Sequence, residues 1–210
     1  MTLDHAAVIV LEGSTWYLPL RVVGRIAFVI FAFLAAQSIE KTSSLKRFCT
    51  RLAIFAVITE PIFDLAFYGT ALYLHHQNIF FTLLAGVMAA WAYKRFEKSG
   101  AIAVCAIAAA AQLLNFDYGG AGIAFIFAFW IFGKENAIYV TTVFSAAMAL
   151  DGGMPNLFSL AAVPLLNGYN GKRGGESHPF LRRWFFYIYY PLHIAIIGLL
   201  SLLQRQFLQW

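Results

Sequence analysis

The stretch from Trp184 to Leu203 reads WFFYIYYPLHIAIIGLLSLL. It contains no Asp, Glu, Lys or Arg, and His193 is its most polar side chain. A helix of about 20 such residues is long enough to cross the hydrocarbon core of a bilayer. Pro191 lies two residues before His193 and is expected to kink the helix, which favours a polar pocket beside the imidazole. The stretch therefore predicts a membrane-spanning helix. Its one histidine is either functional or hydrogen-bonded to a carbonyl of a neighbouring helix.

Similar apolar runs fill the rest of the chain. Several of them are near 14 residues, so we expect some helices to be buried or re-entrant rather than spanning. The pattern predicts an all-α, polytopic transmembrane bundle of about nine hydrophobic helices, forming a single domain over residues 1–210. The other runs cover residues 1–11, 18–39, 52–74, 79–93, 101–114, 118–132, 137–150 and 156–169.

Composition supports a membrane protein and argues against other classes. The chain is 61% hydrophobic and 12% charged, whereas soluble domains carry about 25% charged residues. So little charge cannot cover a water-exposed surface of this size. The net charge of +5 does not indicate nucleic-acid binding, because most Lys and Arg residues lie in short connectors. Cys49 and Cys105 are far apart in sequence, and we expect neither a disulfide framework nor a metal site.

The basic residues are concentrated in every second connector. By the positive-inside rule, this alternation is typical of a serial up-down bundle with its N-terminus in the cytoplasm. The basic connectors contain Lys41, Lys46 and Arg47, then Lys94, Arg95 and Lys98, then Lys134, and finally Lys172, Arg173, Arg182 and Arg183.

Ionisable side chains inside the apolar runs are the first candidates for chemistry, since each costs about 2.5–3.5 kcal/mol to insert. Asp4 adjoins His5 and can raise its basicity, although both could simply cap the first helix. Arg25 needs an anionic partner, which would be either Glu60 or Asp64, or a bound ligand. His193 is either a second base or a histidine satisfied by a helix carbonyl. The full set is Asp4, His5, Arg25, Glu60, Asp64 and His193.

Three further polar sites stand at the ends of apolar runs. Asn78 is either an N-cap or a ligand-binding amide. Asp117 and Tyr118 precede Gly119 in a turn on the non-cytoplasmic side. Lys172 and Arg173 lie in the longest polar connector, which is a candidate anion-binding loop. The sequence contains no P-loop, dinucleotide-binding glycine pattern, zinc spacing or serine nucleophile elbow.

Eight short segments form an ordered set that covers nearly the whole chain: residues 1–5, 21–33, 51–56, 78–86, 117–119, 167–168, 172–174 and 187–193. Taken together, this set resembles the TraX family of membrane acetyltransferases. In the family, the first helix begins before the Met-x-x-Asp-His segment. We therefore expect that the chain is truncated, that its true start lies upstream, or that its first helix is a half-helix.

The resemblance implies an activity, a cofactor and a location. It implies acetyl transfer from acetyl-CoA, without a metal, to an amine or hydroxyl of a protein or glycan acceptor in the bacterial inner membrane. The family's namesake acetylates the N-terminus of a conjugative pilin. Transport of a small molecule or ion, and a non-catalytic scaffold for pilus or envelope assembly, are the alternatives.

The resemblance also suggests residue roles. His5, supported by Asp4, would be the base, with His193 as the alternative base. Arg25 would stabilise the oxyanion or bind a phosphate, and Lys172 and Arg173 would hold the phosphates of acetyl-CoA. The remaining binding candidates are Asn78, Asp117, Tyr118 and Tyr190.

Overall fold

The computed structural model describes residues 1–171 and 179–207, with side chains throughout these ranges except at positions 152, 179 and 181–183. This part of the chain forms nine α-helices and two 3₁₀ helices, Lys134–Asn136 and Met154–Ala162. The all-α prediction is therefore confirmed. The α-helices are α1 Thr2–Ile9, α2 Tyr17–Lys41, α3 Leu45–Tyr68, α4 Ile79–Phe96, α5 Lys98–Leu113, α6 Gly119–Phe132, α7 Ala137–Gly152, α8 Val163–Gly168 and α9 Pro179–Phe207.

Three of the described helices are long and apolar enough to cross a membrane: α2, α4 and the part of α9 from Trp184 to Phe207. Helices α6 and α7 together could form a fourth span, but they meet at an angle of 117° and make a broken or re-entrant span. The prediction of about nine hydrophobic helices was too high. Helix α1 has only 8 residues and α5 only 16, while α3 carries Glu60 and Asp64 as well as its basic first turns.

Helix α2 lies at the centre of the bundle and contacts α1, α4, α6 and the Met154–Ala162 helix. Its inner side chains, including Val29 and Ala32, are completely buried. Small residues let neighbouring helices approach closely, as in other membrane bundles. On the outside, α3 and α9 expose side chains such as Val57 and Leu199, which suits contact with acyl chains rather than water.

The helix formed by the apolar run at 52–74 ends earlier than the sequence suggested. Gly69 adopts a left-handed conformation (φ 73°) and caps α3 after Tyr68, a common role of glycine. The Asp64 carboxylate then accepts a 2.7 Å hydrogen bond from the Tyr73 backbone N–H. This bond folds the following loop back over the end of the bundle, where it forms the rim of a cavity.

Candidate active site

A cavity of about 730 Å³ lies between α1, the first half of α2, the end of α3 and the loop before α6. We call it the histidine cavity. Its wall brings together most of the residues that the sequence had singled out. They are Asp4, His5, Arg25, Asp117, Tyr118 and Tyr190. These residues come from α1, α2, the loop before α6 and α9, so the cavity is created by the packing of α1 against both α2 and α9.

His5 and His193 form a hydrogen-bonded pair at this cavity. Nδ1 of His5 lies 2.9 Å from Nε2 of His193, and Nδ1 of His193 lies 2.8 Å from the carbonyl oxygen of Tyr189. A carbonyl only accepts, so Nδ1 of His193 carries the proton and its Nε2 is an acceptor. His5 must then donate from Nδ1. The bonds therefore leave Nε2 of His5 unprotonated, with the ring in the cavity wall.

Asp4 binds two arginines instead of supporting His5. One carboxylate oxygen lies 2.9 Å from Nη1 of Arg21, and the other lies 2.6 Å from Nη2 of Arg25. The expected pairing of Arg25 with Glu60 or Asp64 is therefore wrong. Asp4 cannot turn to His5 because adjacent residues of a helix point about 100° apart. The hydrogen-bond partner of His5 is His193.

Gly24 permits the contact between α1 and α2. A Cβ atom at this position would lie 2.3 Å from Cβ of Asp4 and 2.9 Å from one of its carboxylate oxygens. Any side chain at Gly24 would therefore push α1 away. The glycine allows the Asp4 carboxylate to lie against α2, between Arg21 and Arg25.

Arg25 keeps donor capacity after binding Asp4. Its Nη1 donates a long hydrogen bond of 3.4 Å to Oδ1 of Asn156. Its Nε is buried and makes no hydrogen bond with any described residue. An unpaired buried donor is costly, and the Arg25 side chain lines the cavity. Sequence reasoning missed Arg21 and Asn156, whose only signal was a polar residue at the start of an apolar run.

The polar atoms of Asn78 are used by the protein itself. Its amide nitrogen donates to the Ala56 carbonyl (2.9 Å) and to Glu60 (2.5 Å), and its Oδ1 accepts from the Phe80 N–H (3.0 Å). Its backbone N–H also donates to Glu60, at 3.0 Å. Asn78 is fully buried and absent from the cavity wall. The geometry is that of an N-cap, the alternative role considered for this residue.

Asp117 and Tyr118 are held on the cavity rim by backbone bonds. The Asp117 N–H donates to the Gln77 carbonyl (3.0 Å), and the Asp117 carbonyl accepts from the Thr82 hydroxyl. Burial raises the pKa of the Asp117 carboxyl, and one of its oxygens lies 3.8 Å from Nε2 of His76. Tyr118 stacks on Phe28 with ring centroids 3.8 Å apart, and burial raises the pKa of its phenol. Both side chains belong to the site.

A second cavity, of about 620 Å³, lies along the other half of α2. We call it the basic-end cavity because Lys41 and Arg51 line it. Its wall also contains Tyr169, Tyr187 and Tyr189. Four described residues line both cavities: Met1, Phe31, Ile79 and Tyr190. The two cavities therefore approach each other from opposite halves of the bundle and meet at this shared wall.

Two of the predicted site residues, Lys172 and Arg173, lie outside the described residues. Within the described part of the chain, no three His, Cys, Asp or Glu residues are grouped so as to hold a metal ion. Both histidines and Arg25 share one polar region rather than lying on separate lipid-facing surfaces.

Comparison with known proteins assigns the family. The profile of the family described as TraX protein matches residues 1–201. A relative from Dichelobacter nodosus, the "Probable fimbrial assembly protein FimC, serogroup H1", is 27% identical over 221 residues. That match covers 94% of this chain and 89% of the relative. No solved structure is a significant match. With a family match over nearly its whole length, the chain belongs to the TraX family.

Proposed function

We propose that this membrane protein transfers an acetyl group from acetyl-CoA to an amine or hydroxyl of an acceptor used in pilus or envelope assembly. The observation that carries the proposal is the hydrogen-bonded chain from the Tyr189 carbonyl through His193 to His5. It supports a neutral His5 with a free Nε2 in the wall of a cavity large enough for a ligand. Acyl transfer requires such a general base.

In the proposed reaction, Nε2 of His5 removes a proton from the acceptor as its nitrogen or oxygen attacks the thioester carbonyl. A carbon–nitrogen or carbon–oxygen bond forms, and the carbonyl oxygen takes the negative charge. As the intermediate collapses, the carbon–sulfur bond breaks. The sulfur of the departing CoA receives the proton from the His5 imidazolium. The products are the acetylated acceptor and CoA with a free thiol, and His5 is again neutral.

Arg25 is the proposed partner of the oxyanion. Its buried Nε has no hydrogen-bond partner among the described residues, and the residue lines the same cavity as His5. A preorganised donor aimed at a developing oxyanion lowers the barrier to acyl transfer. Asp4 and Arg21 hold the guanidinium in place, so Asp4 acts in this proposal as a positioning residue.

The family and the relative named as a probable fimbrial assembly protein support an acceptor used in pilus assembly. A pilus subunit with a free N-terminal amine fits both the family and the relative. A surface glycan hydroxyl is the other acceptor that the same acetyl transfer could modify. The carboxylate of Asp117 in the cavity wall supports an amine, which it could hold as an ammonium before deprotonation.

We place the protein in the bacterial inner membrane with the basic connector between α2 and α3 on the cytoplasmic side. Single cysteines in a Cys49→Ser, Cys105→Ala background test this orientation. A cysteine at Ser43 should react with a membrane-impermeant maleimide only after lysis, whereas one at His75 should react in intact spheroplasts. The reverse pattern would refute the placement.

The activity is tested with purified protein in detergent or liposomes, labelled acetyl-CoA and a peptide that carries the N-terminus of the host's pilus subunit. Wild-type protein should label the peptide, and a peptide with a blocked N-terminus serves as the control. Full transfer by both His5→Ala and His193→Ala would eliminate the two proposed bases.

Transport is the second candidate, and the two cavities that meet at one wall favour it. Transporter sites commonly lie near the bilayer midplane, between access routes from the two sides. Flux of a solute into proteoliposomes without any dependence on acetyl-CoA would support transport over acetylation. A scaffold, by contrast, should assemble pili normally when His5 or Arg25 is replaced.

A further inference from the structure

We propose that Arg51 in the basic-end cavity binds a phosphate group of the donor's nucleotide end, so that the donor enters from the half of the bundle opposite the histidine cavity. This inference rests on the proposed acetyl transfer, and it assigns the donor to a separate site. The predicted phosphate ligands Lys172 and Arg173 are not needed for the argument.

Arg51 is a cation without a counter-ion in the described structure. The described residues that line the basic-end cavity include no Asp or Glu, and no described carboxylate forms a salt bridge with Arg51. Its Nε is buried and lacks a hydrogen-bond partner among these residues. In contrast, Arg21 and Arg25 share Asp4. A charged guanidinium with unused donors is suited to an anionic ligand.

Aromatic rings hold the guanidinium in place. Its central carbon lies 5.9 Å from the ring centroid of Phe48 and 5.8 Å from that of Tyr187. Such contacts orient the planar fork without using its hydrogen-bond donors. Arg51 is therefore positioned but not neutralised, and its N–H groups remain available for the two oxygens of a phosphate.

Other residues at the same end of the cavity add donors of the kind that phosphates bind. The ammonium of Lys41 lies 5.2 Å from the ring centroid of Tyr169, and the hydroxyl residues Thr42 and Ser43 line the wall nearby. The ring of Tyr169 offers a face for a planar base. This end thus combines two cations, hydroxyls and an aromatic ring, which together match a nucleotide.

The inner part of the cavity suits the rest of a thioester donor. Its lining changes from polar residues to Leu34, Leu52, Phe80 and Leu83, and it ends at the wall shared with the histidine cavity. Tyr190 belongs to that wall, and its ring centroid is 5.8 Å from that of His5. The volume of about 620 Å³ lies within the usual range for ligand sites, about 300–1,000 Å³. A ligand with a phosphate-bearing end and a narrow chain that ends in a thioester can place its carbonyl near His5.

The kinetic test compares two donors. Arg51→Gln should raise the KM for acetyl-CoA by about 10-fold to 100-fold, the value of a lost hydrogen bond to a charged group. It should leave the KM for S-acetyl-N-acetylcysteamine, a thioester without phosphates, unchanged. Arg51→Lys should recover part of the loss, because it restores the charge but not the fork. The matched control is Arg47→Gln, because Arg47 is an exposed arginine one turn earlier in α3 that does not line the cavity.

A binding experiment separates the two proposals. CoA is titrated into detergent-solubilised wild-type protein, Arg51→Gln and Arg51→Lys, and adenosine 3′,5′-bisphosphate is used as a competitor. Weaker CoA binding in Arg51→Gln, with competition in the wild type, would support the site. Equal CoA affinity in wild type and both variants would overturn it, even if acetyl transfer is real. If the wild type binds CoA through Arg51 but transfers no acetyl group, the phosphate site is supported and the proposed reaction is refuted.

Discussion

The rings of His5 and His193 lie nearly parallel, with 5° between their planes, and are joined by a 2.9 Å hydrogen bond between Nδ1 and Nε2. They come from the first and last helices of the described chain. The bond determines which nitrogen of His5 is unprotonated, and so it assigns different roles to two residues that the sequence could not distinguish.

This pair predicts unequal losses on mutation. His5→Ala should reduce kcat by roughly 10²–10⁴-fold, the usual contribution of a general base. His193→Ala should reduce it less, by about 10–100-fold, since a partner that orients an imidazole typically contributes that much. The rates are measured with labelled acetyl-CoA. Asn136→Ala, an exposed residue that lines neither cavity, serves as the control. A larger loss in His193→Ala than in His5→Ala would reverse the assignment.

Gly24→Ala should destabilise the protein and its site together. The added Cβ would lie 2.3 Å from Cβ of Asp4, so α1 must move away from Arg21 and Arg25. Overpacking of this kind typically costs about 1–3 kcal/mol. Thermal unfolding in detergent measures the change.

Gly168→Ala is the matched control, because a Cβ at Gly168 would meet no atom within 4 Å. Equal stability and activity of the two alanine variants would show that the close contact between Asp4 and Gly24 is unimportant.

Asp117→Asn should change stability in a pH-dependent way. Burial raises the pKa of this carboxyl above the ordinary value of 3.8, so the folded state binds its proton more tightly than the unfolded state. Wild-type stability then falls as the pH rises from 3.8 through the raised value. The asparagine variant lacks this loss. Its unfolding temperature should exceed that of wild type at pH 7, and the difference should vanish near pH 3.8.

Asn78→Ala should lower stability without a specific catalytic defect. The substitution removes the hydrogen bonds to Ala56 and the Phe80 N–H and leaves Glu60 with only a backbone partner. Loss of a buried polar partner costs about 1–3 kcal/mol. Asn136→Ala, which removes one exposed hydrogen bond, is the control. A raised KM with unchanged stability would restore Asn78 as a ligand-binding residue.

Much of the fold could be predicted from the sequence, because apolar runs and their breaks are local features. The predicted runs at 18–39 and 79–93 match α2 and α4 closely. The number of spanning helices could not be read in the same way. Whether a helix of 14 to 16 residues, such as α5 or α6, crosses the bilayer depends on its packing and on bends such as the one after Phe132.

The sequence predicted which residues belong to the candidate site but not which residues they contact. Asp4, His5, Arg25 and His193 were identified because charged or polar groups are unusual in apolar runs. Their partners depend on how α1 packs against α2 and α9, which sequence spacing does not show. Arg51 opens one of the segments that resemble the TraX family, residues 51–56, but the resemblance gave it no role.

The wall formed by Met1, Phe31, Ile79 and Tyr190 has a consequence for the cell that carries this protein. An uninterrupted aqueous path through the bundle would let protons run down their gradient and waste the energy stored across the membrane. Because these side chains line both cavities, they are the positions at which smaller side chains would be expected to open such a path and make the membrane leak protons.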